Sequence, residues 1–153
     1  YDAPVLIIEP GTALVANAMK FVAKVISIKS VRGKSIATVT GSSYNINPNP
    51  NRKNVPISIY HSHNSVGLIQ QYTELDIGGY TCIESDYLYR GFNGELAVGD
   101  FVVLHDVGSY SVVMKPPFIL PNYPIVEYQS GNDSIECIKK AESFDDIFHT
   151  YSF

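Results

Sequence analysis

The sequence predicts a mainly β protein, a β-sandwich or small barrel carrying one or two short helices. Three observations predict it. Short runs rich in Val and Ile recur along the chain, turns built from Gly, Asn and Pro separate them, and a 45% hydrophobic content over 153 residues is enough for one domain with a real core.

The elements follow in order. Residues 5–8, Val-Leu-Ile-Ile, form a continuous apolar run ending at Pro10-Gly11, the pattern of a strand buried on both faces. One such strand cannot bury itself, so it is expected to be the remnant of a larger barrel. Residues 1–12 are accordingly set apart from a β domain over 13–153. Residues 13–18 are small and suit a short helix or turn. Residues 19–29 alternate loosely and are rich in Val and Ile, which favours a strand; a partial helical periodicity over 13–25 leaves a helix as the alternative. The turn Val31-Arg32-Gly33-Lys34 makes 20–29 and 35–40 a hairpin. Pro and Asn dominate residues 45–51, a loop. Residues 57–61 and 67–76 read as strands, and Val98-Gly99-Asp100 is a turn into a strand over 101–105. Residues 125–129 and 134–139 flank Ser130-Gly131-Asn132-Asp133 as a second hairpin. Ser143 and Asp146 have the spacing of a capping box, so 144–150 is expected to be a short helix.

Composition narrows the function. The net charge of −4 leaves no basic footprint, so nucleic acid and anionic membrane are not expected partners. No apolar run reaches the length of a membrane span, and no basic stretch with a following apolar core opens the chain. A cytoplasmic location is the default expectation. The first residue is Tyr1, not Met, and the chain opens within what reads as a buried strand; it is read as a fragment or excised domain. Cys82 and Cys137 are the only cysteines, which makes neither a disulfide framework nor a zinc spacing. Cys137 alternates with polar residues and is expected to be buried on the face of Ile135. His61 and His63 share a strand face with no third ligand evident, so no metal is expected. His105 and His149 carry no motif.

Three segments carry chemistry. Gly79-Tyr80-Thr81-Cys82-Ile83-Glu84-Ser85-Asp86 places a thiol and an acid in one short polar loop after a Gly-Gly break. Glu9-Pro10-Gly11-Thr12 lies upstream, and Asp106-Val107-Gly108-Ser109-Tyr110 downstream. Taken singly, each has a bland account: a strand-ending glutamate, a buried thiol, a core tyrosine among the 11 of this chain. Taken together and in this order, they resemble the C-terminal part of the pyridoxal-phosphate-dependent amino-acid decarboxylases of the alanine-racemase-like fold, the group that holds the diaminopimelate, ornithine, lysine and carboxynorspermidine decarboxylases.

The resemblance implies a parent enzyme that releases CO2 from a basic or diamino acid, with its sites at a head-to-tail homodimer interface. Glu9 would bond the pyridine nitrogen, where a carboxylate keeps that nitrogen protonated. Gly11 would lie at the cofactor phosphate. The family's Glu-Pro-Gly-Arg has Thr12 here in place of arginine, so one charge-assisted phosphate contact is missing. Residues 13–18 continue as the family does. Cys82 would be the proton donor in the neighbouring subunit's site, with Asp86 helping from the same loop. The family's Cys-Glu-Ser-Gly-Asp reads Cys82-Ile83-Glu84-Ser85-Asp86 here. Ile83 and Glu84 would therefore face the distal end of the substrate. Tyr110 matches Asp-x-Gly-Ala-Tyr and would place its hydroxyl near the phosphate.

Diaminopimelate decarboxylases carry an Arg-Pro step in the loop after the second strand. Asn45-Ile46-Asn47-Pro48 has no arginine there, which disfavours strict diaminopimelate specificity. Lys115 is not at the position of the Schiff-base lysine, which lies in the family's N-terminal barrel, and is read as a rim residue. The chain alone is therefore expected to be inactive. A non-catalytic homologue that regulates a true decarboxylase by dimerising with it is the alternative, mildly favoured by Gly11-Thr12 and opposed by the retained Cys82 and Tyr110; an unrelated β-barrel binding module is the third reading, which a separation of Glu9 from Tyr110 would support.

Overall fold

The computed structural model describes residues 3–46, 53–63 and 66–152. The strands among them are β1 (Phe21–Val31), β2 (Lys34–Val39), β3 (Ile57–Tyr60), β4 (Val66–Gly78), β5 (Tyr87–Val98), β6 (Phe101–Leu104), β7 (Ile125–Gln129) and β8 (Ser134–Lys139). Two helices flank them, α1 (Thr12–Val15) and α2 (Phe144–Phe148). Ser143 caps α2 reciprocally with Asp146, the capping box read from the sequence.

Six strands form one sheet in the order β3-β6-β1-β2-β4-β5, and β7 and β8 form a separate ribbon. The sheet follows from β1. Its first half pairs with β6, Phe21 opposite Leu104, and its second half pairs with β2 through a two-residue turn at Arg32-Gly33. A register shift between Val25 and Ser27 marks the bend, as a bulge does when a strand leaves one neighbour for another. β2 and β4 are parallel, and the remaining neighbours in the sheet are antiparallel.

The curled sheet is nearly closed into a barrel. Val25 N–H donates to the Asp100 carbonyl and Gly99 N–H to the Val25 carbonyl, both at 2.8 Å, which ties the β5–β6 turn to β1. The Asn54 side chain, just before β3, donates to the Arg90 carbonyl at 2.7 Å and accepts from Arg90 N–H at 3.0 Å. One amide thus completes a two-bond bridge between the outer strands β3 and β5, where a bare edge would leave its peptide groups unpaired. Asp100, fully buried, accepts from the N–H groups of Ala97 and Ser62 and bonds His61 Nδ1 at 2.8 Å. His61 therefore holds the end of β3 to the β5–β6 turn.

The barrel interior is the core. Val25, Val39, Leu75, Ile77, Leu88, Leu96, Val102 and Leu104 are almost wholly excluded from water. No helix among the described residues is long and apolar enough to cross a membrane.

Three sequence expectations need correction. β5 was not anticipated, because Gly91, Asn93 and Gly94 interrupt its alternation; Gly91 and Gly94 take positive φ there, 68° and 157°. Cys137 lies on β8 as expected but is exposed, and its neighbour Ile135 is 70% exposed. The reason is that β7 and β8 make only a two-stranded ribbon, on which no other strand or helix among the described residues packs closely. Residues 5–8 are not in a strand: Leu6 and Ile7 are more than four-fifths exposed, without a pairing partner among the described residues. Most of the loop expected over 45–51 lies outside the described residues.

Truncating one core side chain tests the barrel. Leu96→Ala is expected to cost about 2–5 kcal/mol in equilibrium urea unfolding, the range for a buried leucine whose cavity cannot collapse. A loss under about 0.5 kcal/mol would mean that Leu96 is not enclosed.

Candidate functional site

The loop between β4 and β5 presents Cys82. It starts at Gly79 and closes on itself, with Gly79 N–H donating to the Asp86 carbonyl at 2.8 Å and Asp86 N–H to the Ile83 carbonyl at 3.0 Å. The Cys82 thiol is exposed at its tip. Only glycine fits at its base, since a Cβ on Gly79 would lie 2.2 Å from Asp86 Oδ2.

Asp86 points the other way, into the protein, and is only 4% exposed. Its Oδ1 accepts from Ser42 Oγ, Ser43 N–H and Ser43 Oγ, at 2.9, 2.7 and 2.8 Å. Its Oδ2 accepts from Thr81 N–H at 3.1 Å and Thr81 Oγ1 at 2.6 Å. Hydrogen bonds of this kind take the place of the water that a buried carboxylate loses. Ile83 and Glu84 flank an open groove of about 460 Å³ together with Ser85, Tyr87 and Arg90. The Arg90 guanidinium stacks 4.0 Å from the Tyr87 ring centre and lies 3.3 Å from buried Asp76, which also pairs with Lys34 at 2.7 Å. Burial pushes the Asp76 carboxyl up, but the Lys34 bond, the Gly91 N–H and the Arg90 charge outweigh it and hold the group below its ordinary value of 3.8.

A second group of residues meets at the entry to β1. Gly108 N–H donates to the Ala16 carbonyl at 2.8 Å, and Val107 N–H to the Met19 carbonyl at 3.2 Å. A Cβ on Gly108 would fall 2.0 Å from the Val15 carbonyl oxygen, so glycine alone permits this approach of the loop after β6 to α1. The contact carries Tyr110 to Gly11: a Cβ on Gly11 would lie 3.4 Å from the tyrosine hydroxyl. Both residues have positive φ, 41° at Gly11 and 63° at Tyr110. Thr12 opens α1 and is exposed, as is Glu9 two residues before Gly11.

Cys82 and Asp86 therefore share one loop, and Gly11 and Tyr110 share another locality. No hydrogen bond or ion pair among the described residues joins the two. Lys115 is half-buried; burial and the Lys139 charge lower its pKa, and Glu142 opposes them. No cluster of three or more metal-ligating side chains occurs among the described residues. Sequence reasoning missed Ser42, Ser43 and Thr81, the partners of Asp86. The Gly78-Gly79 doublet was the one local signal that something approaches the loop closely.

Comparison with known proteins agrees with this fold. The family model described as "Pyridoxal-dependent decarboxylase, C-terminal sheet domain" matches residues 5–108. The chain belongs to this family, the pyridoxal-dependent decarboxylases of the ornithine and diaminopimelate type, as its C-terminal sheet domain. Among curated relatives it is 32% identical to a probable chloroplastic diaminopimelate decarboxylase of Oryza sativa subsp. japonica, covering 92% of this chain and 28% of the relative. It is 26% identical to a carboxynorspermidine/carboxyspermidine decarboxylase of Herminiimonas arsenicoxydans, covering 99% of this chain and 39% of the relative. The chain thus spans about a third of the length of these relatives. The crystal structure of diaminopimelate decarboxylase from Helicobacter pylori complexed with L-lysine shares the fold, with a TM-score of 0.75 at 22% identity over 92% of this chain and 34% of that one. The enzyme from M. jannaschi does so at 0.77 and 20%, over 93% of this chain and 32% of that one.

The residues fit pyridoxal phosphate on one observation. The Tyr110 hydroxyl stands 3.4 Å from where a Cβ on Gly11 would lie, so a phenol donor meets a glycine turn here, a pairing that suits a small anionic group.

Two outcomes are expected. Gly108→Ala should destabilise the chain by about 1–3 kcal/mol in urea unfolding, as overpacking does; an unchanged midpoint would show that α1 and this loop are not in contact. The depressed pKa of Asp76 contributes stability that is complete above its unfolded value and is lost as pH falls through the folded one. Stability should therefore decline below about pH 4, and Asp76→Asn should flatten that acid limb in urea unfolding measured from pH 2 to 6. An acid limb of the same slope in the variant would remove Asp76 from the account.

Proposed function

We propose that the chain is the C-terminal part of a pyridoxal-phosphate-dependent decarboxylase that releases CO2 from a basic or diamino acid, with residues 1–12 belonging to its barrel and 13–153 to its β domain. The approach of Gly11 to Tyr110 carries this reading. Bound pyridoxal phosphate would supply an electron sink for the bond that breaks. Glu9 would bond the pyridine nitrogen, and Gly11, Thr12 and Tyr110 would hold the phosphate. Thr12 offers a hydroxyl donor in place of an arginine's charge.

Cys82 is the acid in this reading. Its Sγ–H would deliver a proton to the substrate's α-carbon, and Sγ would regain one from solvent. Asp86 supports it from the same loop. Ile83 and Glu84 would meet the distal end of the substrate, Glu84 as the carboxylate for a distal amine. The family resemblance implies a head-to-tail homodimer in which each loop serves the other copy's cofactor, and Cys82, exposed at the tip of its loop, is placed to reach out of its own chain.

The test is CO2 release by the full-length polypeptide carrying this chain, with and without pyridoxal phosphate, against ornithine, lysine, arginine, diaminopimelate and carboxynorspermidine. Cofactor-dependent turnover of one of them is expected. Cys82→Ala should lower kcat by about 10²–10⁴-fold, and Tyr110→Phe should weaken cofactor binding roughly tenfold. The 153-residue chain alone should release no CO2, since it lacks the Schiff-base lysine; measurable release would refute that. Cofactor uptake without turnover of any substrate would favour the regulatory homologue, to which Thr12 already points.

A further inference from the structure

The Cys82 loop is fastened at one atom group. Five hydrogen bonds converge on the Asp86 carboxylate, and its two oxygens offer about four lone-pair directions. It has no capacity left for a substrate or cofactor. The donors come from two segments far apart in sequence: Thr81 on the loop itself, and Ser42 and Ser43 at the turn after β2. A second tie runs beside the first, with Tyr80 N–H donating to the Gly41 carbonyl at 3.2 Å and Tyr80 Oη to Asn45 Oδ1 at 3.4 Å. Burial raises the Tyr80 pKa, and although the Asn45 bond opposes this, the Asp86 charge adds to it; the phenol stays a neutral donor.

We propose that Asp86 is a positioning residue, whose carboxylate clamps the Cys82 loop to the turn after β2, and that Ser42, Ser43 and Thr81 thereby set where the Cys82 thiol is held. Both neighbours of Cys82 are fixed: Thr81 by the carboxylate, and Ile83 by its N–H donating to Thr81 Oγ1 at 3.4 Å. The thiol between them is exposed. Charge-assisted bonds are the stronger kind, and a rigid backbone around a mobile proton is what a general acid requires. The inference rests on the reading of Cys82 as that acid, but the clamp itself is testable without turnover.

Iodoacetamide alkylation of the 153-residue chain, resolved by site, measures it. Cys137 on the exposed ribbon serves as the internal reference. In Thr81→Val and Ser43→Ala the ratio of Cys82 to Cys137 rates is expected to change by at least about threefold, and Thr81→Ser, which keeps the hydroxyl, should restore it. An unchanged ratio in both variants would overturn the proposal. Amide exchange on the unaltered chain guards against variants that fail to fold. Ser43 and Thr81 N–H groups, both bound to one carboxylate, should exchange at least about a hundredfold more slowly than open amides; exchange at the open rate overturns the clamp. In the full-length polypeptide, Thr81→Val should lower kcat about tenfold with KM nearly unchanged, and a change confined to KM would also overturn it. Absent turnover in the unaltered polypeptide, with slow exchange and a shifted alkylation ratio, would count against the decarboxylase reading alone.

Discussion

The bend in β1 is the constraint on which the barrel depends. One strand must satisfy β6 along its first half and β2 along its second, and the register shift after Val25 lets it do so. Without that bend the sheet would stay open, and Leu75, Leu88 and Leu96 on β4 and β5 would face water instead of Val25 and Val102 across the interior. The bend also brings the β5–β6 turn within bonding distance of Val25. The loop after β6 then runs back toward α1, which is how Tyr110 comes to Gly11.

Three buried aspartates secure what the hydrophobic interior cannot reach. Asp100 ties the end of β3 to the β5–β6 turn, Asp76 gathers Lys34, Arg90 and the Gly91 N–H beside β4, and Asp86 joins the β4–β5 loop to the turn after β2. Each is at most 4% exposed and each has its oxygens occupied. A buried carboxylate costs several kcal/mol unless so satisfied, so these positions reward a single geometry of the surrounding backbone. The core sets the barrel's shape, and the carboxylates set where its loops point.

Most local features of the fold were legible in the sequence, β5 with its glycine-broken alternation excepted, and non-local ones were not. The β1–β2 and β7–β8 hairpins, α1 and the Ser143 cap each depend on neighbours a few residues away. The parallel pairing of β2 with β4 and the Asn54 bridge to Arg90 depend on chain segments that no short window contains. Cys137 shows a related limit: alternation tells which face a side chain takes, but not whether anything covers that face. At the candidate site, Cys82, Asp86, Gly11 and Tyr110 were readable as motif residues. That Asp86 turns inward was not, because its partners Ser42 and Ser43 form no pattern with it in sequence.

The pairing of Phe21 with Leu104 also governs the order in which the chain can assemble. The β1–β2 turn closes over two residues, whereas joining β1 to β6 closes a loop of about eighty, at a larger entropic cost before any contact repays it. The two local hairpins of the barrel, β1–β2 and β4–β5, are therefore expected to form first, with closure onto β6 as the slower event. The Cys82 loop, inside the second hairpin, takes its turn before the barrel around it is complete; pulse-labelled amide protection during refolding would expose the reverse order if β6 protects first.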